Sequence, residues 1–194
     1  MELSTINRIL IANRGEIAVR IMKTARNMGI ECVAIKTDAE PGAMYLDYAG
    51  KIFDMSDETP EIPVFLDVDK LIEIALATGC DALHPGYGFL AENAYFAQKC
   101  GENRINFIGP APDAIYKMGN KTVARQIAMS NGVPMAMGSP GNISDEDEAL
   151  KHAAKIGYPV IIKAASGGGG RGMRIVRHPD EMEKMFNLAS REAE

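Results

Sequence analysis

Long apolar runs and an excess of basic residues are both missing from this sequence of 194 residues. No apolar stretch reaches the ~18–20 residues that a helix needs to cross a bilayer. Residues 1–6 show neither the basic head nor the apolar core of a signal peptide. The net charge of −5 argues against a nucleic-acid or anionic membrane surface as the main partner. We therefore expect a cytoplasmic protein with no nucleic-acid or membrane partner.

Cysteine is also scarce, with three residues that lie far apart and form no C-x-x-C pair. An odd number at this spacing argues against a disulfide framework and against a zinc site. We expect Cys32, Cys80 and Cys100 to be small buried hydrophobic residues in a reducing compartment.

What the sequence does contain is a regular alternation of strand and helix patterns. Hydrophobic residues make up 46% of the chain and charged residues 24%, as in globular proteins. Apolar runs predict strands at 8–12, 31–35, 51–55, 81–84 and 106–108. Helical spacing predicts helices over 16–28, 67–79 and 92–100. Such alternation predicts a doubly wound α/β domain with a parallel sheet.

The pattern changes after residue 110. Two short helices, 112–118 and 121–131, are predicted on either side of a break at Gly119. A segment rich in Gly, Pro and Ser at 134–141 indicates a linker. Ser144 and Asp147 fit a capping box that opens the next helix. Two strands, 158–165 and 173–176, then enclose a glycine loop, and Pro179 begins a last helix that continues to residue 194.

The glycine loop is the strongest local signal. It contains four consecutive glycines, Gly167, Gly168, Gly169 and Gly170. Each interior glycine costs roughly 0.5–1 kcal/mol relative to alanine, and a plain hairpin needs only one or two. We interpret the loop as bare backbone that closes over a phosphate chain, with Arg171 adding positive charge. The alternative interpretation of these glycines is a flexible surface hairpin that binds no ligand.

A lysine on the preceding strand strengthens the phosphate interpretation. Lys163 follows the apolar residues Val160, Ile161 and Ile162, so its ammonium group must either reach outward or meet an anion. Two common nucleotide motifs are excluded. No Lys-Ser or Lys-Thr pair follows the glycines, as a P-loop requires, and the first strand-to-helix turn holds only Gly15 instead of a G-x-G-x-x-G motif.

Four segments resemble the biotin carboxylases, a family of ATP-grasp enzymes. They are IANRGEIA at 11–18, HPGYGFLAEN at 84–93, MGNK at 118–121, where the family usually has Asp before the lysine, and GYPVIIKAASGGGGRGM at 157–173. The segments occur in the family's order and span nearly the whole chain. The resemblance implies a Rossmann-like domain at 1–113, a helical linker at 114–140, and the truncated start of an ATP-grasp domain with its glycine-rich lid at 141–194.

The resemblance also implies an activity. Members use MgATP to activate bicarbonate as carboxyphosphate, and then carboxylate biotin that is attached to a carrier. The implied partners are a biotin carboxyl carrier protein or domain, a carboxyltransferase component, and a second copy in a full-length homodimer. The family's catalytic residues and Mg²⁺ ligands lie in later segments. We therefore expect none of them before Glu194, and a fragment that does not turn over alone.

Site residues can be carried over where the motifs match. The implied ATP contacts are Lys121, Lys163, Gly167, Gly168, Gly169, Gly170, Arg171 and Met173, with the glycines as a mobile phosphate lid and Met173 near the adenine. The loop that carries Tyr87, Gly88 and Glu92 is implied to face the biotin and bicarbonate side.

Simpler roles stay open for several of these residues. Tyr87 and Phe89 could be packing residues, Glu92 could be an acid favoured by a helix dipole, and Lys121 could be a solvated residue at a helix start. Arg14 and Glu16 are expected to orient the first turn. Two other functions also stay open. One is another ATP-grasp ligase, which HPGYGFLAEN disfavours, and the other is a non-catalytic nucleotide-binding module.

Overall fold

The computed structural model describes residues 5–58, 60–139, 141–163 and 173–191. The chain divides into two compact units, residues 1–116 and 117–194. The domain boundaries predicted after residues 113 and 140 stay predictions.

The first unit is built on a five-stranded parallel sheet. Its strands are β1 (Arg8–Ile11), β2 (Glu31–Lys36), β3 (Lys51–Asp54), β4 (Ala82–His84) and β5 (Asn106–Phe107). They lie side by side in the order β3-β2-β1-β4-β5, and each neighbouring pair is parallel. The chain moves outward from β1 in one direction through β2 and β3 and in the other through β4 and β5. This order confirms the predicted doubly wound α/β fold.

Helices cover both faces of this sheet because strand residues alternate in direction. The helices are α1 (Gly15–Asn27), α2 (Val68–Ala77) and α3 (Ala94–Glu102). Leu10, Val33 and Leu83 point to one face, where they join a buried cluster with residues of α2 and α3. On the opposite face the cluster combines strand and α1 residues with a 3₁₀ turn at Met44–Tyr48; its buried members are Ile9, Ile11, Ala18, Met22, Ala25, Cys32, Ala34, Tyr45, Leu46 and Ala82.

Helix ends in the first unit follow from local capping. The Asp67 carboxylate accepts a hydrogen bond from the Lys70 N–H at 3.0 Å, which confirms the predicted cap of α2. Helix α3 begins at Ala94, two residues later than the predicted start at 92. The Asn93 side chain accepts a hydrogen bond from the Phe96 N–H at 2.9 Å and so caps the N-terminus of the helix. Glu92 therefore precedes the cap and is not a first-turn acid.

Two short helices follow, α4 (Pro112–Gly119) and α5 (Lys121–Ser130). The break between them falls at Asn120, one residue after the predicted break at Gly119. Asn120 caps α5, because its side-chain oxygen accepts from the backbone N–H groups of Thr122 and Val123.

The second unit holds a helix pair on a two-stranded sheet. Helix α6 (Glu146–Ile156) precedes the antiparallel strands β6 (Val160–Lys163) and β7 (Met173–Val176), and a 3₁₀ turn at Pro179–Glu181 leads into α7 (Met182–Arg191). The buried residues of its core are Ala149, Ala153, Val176 and Met182. No helix in the described part of the chain has the length and apolar character needed to span a membrane.

The predicted capping box of α6 is displaced by one residue. Asp145 is the cap and accepts from the Glu148 N–H at 2.8 Å, while the Glu148 carboxylate accepts from the Ser144 N–H at 3.1 Å. The prediction of Ser144 with Asp147 was wrong because Asp145 and Glu148 satisfy the same spacing with the stronger, charged acceptor.

Candidate functional site

A cleft opens in the first unit where β1 and β4 end. It is lined by Asn13, Arg14, Gly15, Glu16 and Ile17 after β1, and by Tyr87, Gly88 and Phe89 after β4. We call it the strand-end cleft. Neighbouring parallel strands release their carboxyl ends at the same edge, and the strand order reverses between β1 and β4. Open α/β sheets bind ligands at such a point.

Asn13 ties the two sides of the cleft together. It is only 3% exposed. Its Nδ2 donates hydrogen bonds to the carbonyl oxygens of Pro85 at 2.8 Å and Tyr87 at 2.9 Å. Its Oδ1 accepts from the Arg14 N–H at 2.9 Å. Every polar atom of this side chain is therefore used to hold the loop after β4 against the turn after β1.

His84 fixes the start of the same loop. Its Nδ1 accepts a hydrogen bond from the Gly86 N–H at 3.0 Å, so this nitrogen must be unprotonated. Burial lowers the pKa of His84, which favours the neutral ring that this bond requires. The glycine that follows takes φ +66°, a left-handed conformation. His84 thus acts on the loop backbone.

Tyr87 is held by a charged partner from the other side of the cleft. Its hydroxyl donates to Glu16 Oε1 at 2.6 Å. This hydrogen bond raises the pKa of Tyr87, since the carboxylate stabilises the protonated phenol. The residue is 61% exposed, so Tyr87 is not a packing residue.

Phe89, two residues later, packs against other side chains. The Phe89 ring stacks on Phe65 with centroids 5.3 Å apart, and the Arg14 guanidinium lies over it at 5.9 Å from the centroid. Arg14 also forms an ion pair with Glu40. Phe89 has φ +40°, an uncommon value outside glycine. The two aromatic residues on either side of Gly88 therefore have different roles: Phe89 packs against Phe65, whereas Tyr87 forms a hydrogen bond across the cleft.

Glu92 stands apart from this arrangement. It is exposed, lies in the turn before Asn93, and is not among the residues that line the strand-end cleft. Gly88, in contrast, lies on the cleft wall with φ +69°.

The second unit presents a different candidate surface on its hairpin. In the β6–β7 register Ile161 lies opposite Ile175 and Lys163 opposite Met173. These four residues form the exposed face of the hairpin, while Val160, Ile162 and Val176 pack inward. Such a surface is chemically complementary to a ligand with a flat apolar ring and a phosphate chain, because the apolar residues can contact the ring and the ammonium group can contact a phosphate. Of the other predicted ATP contacts, Lys121 is the exposed first residue of α5.

The remaining predicted contacts lie outside the described residues. They are Gly167, Gly168, Gly169, Gly170 and Arg171.

Comparison with known proteins identifies the family. The family model for the biotin carboxylase N-terminal domain matches residues 5–115, more than half of the chain. The chain belongs to the biotin carboxylase family. Residues 120–194 match a second model, the ATP-binding domain of the carbamoyl-phosphate synthase L chain.

Individual biotin carboxylases are similar over nearly the whole chain. Biotin carboxylase 2, chloroplastic, of Populus trichocarpa is 47% identical over 186 residues, which are 96% of this chain and 35% of the relative. Biotin carboxylase 1 of Bacillus subtilis (strain 168) is 46% identical over 188 residues, 97% of this chain and 42% of the relative. The chain thus spans well under half the length of these relatives.

Solved biotin carboxylase structures share the fold. The Campylobacter jejuni enzyme in complex with β,γ-ATP has a TM-score of 0.92 at 41% identity, covering 97% of this chain and 42% of that one. The biotin carboxylase domain dimer of Hydrogenobacter thermophilus 2-oxoglutarate carboxylase, in complex with MgADP, ADP and bicarbonate, has a TM-score of 0.90 at 40% identity. It covers 98% of this chain and 42% of that one.

Two contributors to the strand-end cleft were missed or misassigned from sequence. The sequence assigned Glu16 only to its own turn, yet its carboxylate contacts a residue 71 positions later. Asn13 received no role. The signal that could have found both was the position of IANRGE at the end of a central parallel strand, beside the strand that ends in HPGYGF.

Proposed function

We propose that this chain serves the ATP-dependent carboxylation of biotin, with bicarbonate as the carboxyl source and carboxyphosphate as the intermediate. It would act within the biotin carboxylase component of a biotin-dependent carboxylase. The observation that carries the proposal is the strand-end cleft, where IANRGE and HPGYGF, which belong to two of the four segments that resemble this family, are hydrogen-bonded into one site. The relative from Hydrogenobacter supports it, because it holds ADP and bicarbonate together.

The hairpin of the second unit is proposed to bind the nucleotide. Ile161, Ile175 and Met173 offer an exposed apolar surface for the adenine, and Lys163 stands at its end for a phosphate. Lys121 is proposed as a second cation for the phosphates. Gly167, Gly168, Gly169 and Gly170 are proposed to cover the phosphate chain, with Arg171 beside them.

The reaction needs positioning and charge neutralisation more than covalent help from the protein. A bicarbonate oxygen attacks the γ-phosphorus of ATP, the bond to the bridging oxygen breaks, and ADP leaves with that electron pair. A ureido nitrogen of biotin then attacks the carboxyl carbon of carboxyphosphate, the bond from that carbon to the phosphate oxygen breaks, and phosphate leaves with the electron pair and takes up the proton of the ureido N–H. Lys163 and Lys121 would stabilise the transferred negative charge, and the loop with Tyr87, Gly88 and Glu92 would face biotin and bicarbonate.

Magnesium accompanies ATP in such chemistry. Within the described residues, no three His, Cys, Asp or Glu side chains come together in a way that could hold a metal ion. The Mg²⁺ ligands stay a prediction, since Mg²⁺ at nucleotide sites is commonly held by only one or two carboxylates together with the substrate phosphates.

The proposed partners are a biotin carboxyl carrier protein or domain, a carboxyltransferase component and a second copy of the protein. The dimeric Hydrogenobacter domain supports the second copy. The α subunit of rat methylcrotonoyl-CoA carboxylase, 45% identical over 190 residues, supports membership in a larger carboxylase. We also propose a cytoplasmic location, since all three cysteines are free and buried.

The activity is tested by following ADP release from ATP by the product of the whole gene, in bicarbonate with and without free biotin. Release that requires bicarbonate and is stimulated by biotin is expected. Release that needs another acceptor would favour a different ATP-grasp ligase, which shares the ATP-binding domain matched at residues 120–194. Nucleotide binding without any ADP release would instead favour a non-catalytic binding module.

A further inference from the structure

The hydrogen bond between Tyr87 and Glu16 crosses the mouth of the strand-end cleft. The phenol oxygen lies 2.6 Å from Glu16 Oε1, and both residues are exposed. Glu16 belongs to the first turn of α1, whereas Tyr87 lies in the loop after β4. Side chains from two separate elements thus meet at the opening of the cleft and not in its packed base.

The fold does not need this contact. Exposed charged contacts contribute little to stability. The loop backbone is already held by Asn13, which bonds the carbonyls of Pro85 and Tyr87, and by His84, which bonds the Gly86 N–H. What the contact does fix is the ring, because an exposed tyrosine otherwise populates several staggered rotamers.

The contact also decides which hydrogen-bonding group the tyrosine offers. A phenol has one O–H donor, and its oxygen can also accept. With the proton directed at the Glu16 carboxylate, only the acceptor side of the oxygen faces outward. An acceptor at the cleft mouth fits the N–H groups of a cyclic urea, the reactive part of biotin.

We propose that Glu16 is a positioning residue, which orients the Tyr87 hydroxyl so that its oxygen accepts a hydrogen bond from the ureido ring of biotin. This assignment rests on the proposed function, in which the Tyr87 loop lies on the biotin side. Glu16 does not touch biotin in this arrangement and acts only through Tyr87.

A purely structural role for Glu16 makes a different prediction. An acidic residue in the first turn of a helix interacts favourably with the helix dipole. Two conservative substitutions separate the roles. Glu16→Gln removes the charge but keeps an oxygen that can accept from Tyr87. Glu16→Asp keeps the charge near the helix end but shortens the side chain by one methylene and withdraws it from the hydroxyl.

The first test measures the KM for free biotin and the KM for ATP in the product of the whole gene. Glu16→Asp, Glu16→Ala and Tyr87→Phe are each expected to raise the KM for biotin about tenfold, while Glu16→Gln retains most of the wild-type affinity. The double variant Glu16→Asp/Tyr87→Phe should be no worse than Tyr87→Phe, because both changes remove one interaction. A KM for biotin that rises with Gln and not with Asp would overturn the proposal.

The second test does not depend on turnover. In the product of the whole gene with ring-labelled tyrosine, the carbon resonance of Tyr87 reports the titration of its hydroxyl. Glu16→Ala should lower the Tyr87 pKa toward its ordinary value of 10.0. An unchanged titration would refute the orienting contact. Absence of biotin-dependent ADP release in the unsubstituted protein would contradict the proposed function instead, so the two failures can be told apart.

Discussion

The Asn13 side chain lies directly against the backbone of Gly86. A Cβ atom at Gly86 would stand 2.6 Å from Asn13 Nδ2, which is closer than real Cβ contacts allow. The loop approaches this closely because Nδ2 donates to the carbonyl oxygens on either side of Gly86, those of Pro85 and Tyr87. Glycine is therefore required here by contact as well as by conformation.

Gly86 and Gly88 form a matched pair that tests this relationship. Both have a left-handed backbone, with φ +66° and φ +69°, but a Cβ at Gly88 meets nothing within 4 Å. Gly88→Ala should lower the free energy of unfolding by about 1 kcal/mol through backbone strain alone. Gly86→Ala should cost about 2 kcal/mol more, because Asn13 must also shift. Urea unfolding followed by circular dichroism measures both, and equal costs would contradict the predicted clash.

Substitution of Asn13 itself should be strongly destabilising. Asn13→Ala leaves the buried carbonyl of Pro85 and the partly buried carbonyl of Tyr87 without this donor, for a loss of about 2 kcal/mol in the free energy of unfolding. Asn13→Asp should cost more than Ala, although it is closer in size, because a carboxylate would face the carbonyls of Pro85 and Tyr87. The same unfolding experiment ranks the two variants. A mild Asp variant would show that shape and not hydrogen bonding fixes this position.

His84 should make stability depend on pH. Its folded pKa lies below the unfolded value of 6.5, so the unfolded chain binds more protons in the acidic range. The stabilisation is present above that value and is lost as pH falls through the folded pKa, by at most about 1.4 kcal/mol per pH unit. Unfolding free energies measured from neutral to mildly acidic pH check this. His84→Asn keeps an acceptor for the Gly86 N–H and should flatten the profile; an equally steep profile would exclude His84 as its source.

Lys163 is the described residue on which nucleotide binding should depend most. Lys163→Ala should weaken ATP binding by the product of the whole gene at least about tenfold, since it removes a charge-assisted contact. Calorimetric titration measures the affinity. Lys155→Ala is the control, because it removes the same charge from the exposed surface of α6 in the same unit. Equal effects of the two substitutions would point to general electrostatics instead of a site.

Much of this fold could be predicted because its signals are local. The apolar runs at β1, β2 and β4 and the helical spacing of α1 and α2 are properties of short windows, and they gave the alternation that defines a parallel sheet. Helix starts were less accurate. Asn93 and Asp145 both compete with neighbouring residues as caps, and the winner depends on backbone geometry that sequence spacing does not specify. The 3₁₀ turns at Met44–Tyr48 and Val64–Leu66 had no periodic signal and were not predicted.

The candidate site was also predictable only in part. The HPGYGF loop could be placed at a strand end from sequence, and Tyr87 and Gly88 do line the strand-end cleft. The partners of that loop could not be predicted from sequence. Asn13 and Glu16 are more than 70 positions away from it in the chain, and only the order of the strands in the sheet brings them together. The biotin-side role of Glu92 and the ATP contacts of the glycine loop stay predictions.

We propose that the carboxyl group of bicarbonate is transferred to biotin. Incubation of the product of the whole gene with ATP, carbon-labelled bicarbonate and free biotin tests it most directly. We expect label in carboxybiotin that depends on ATP and is strongly reduced by Lys163→Ala but not by Lys155→Ala. ATP consumption with no label on biotin, in a folded protein that binds the nucleotide, would contradict it.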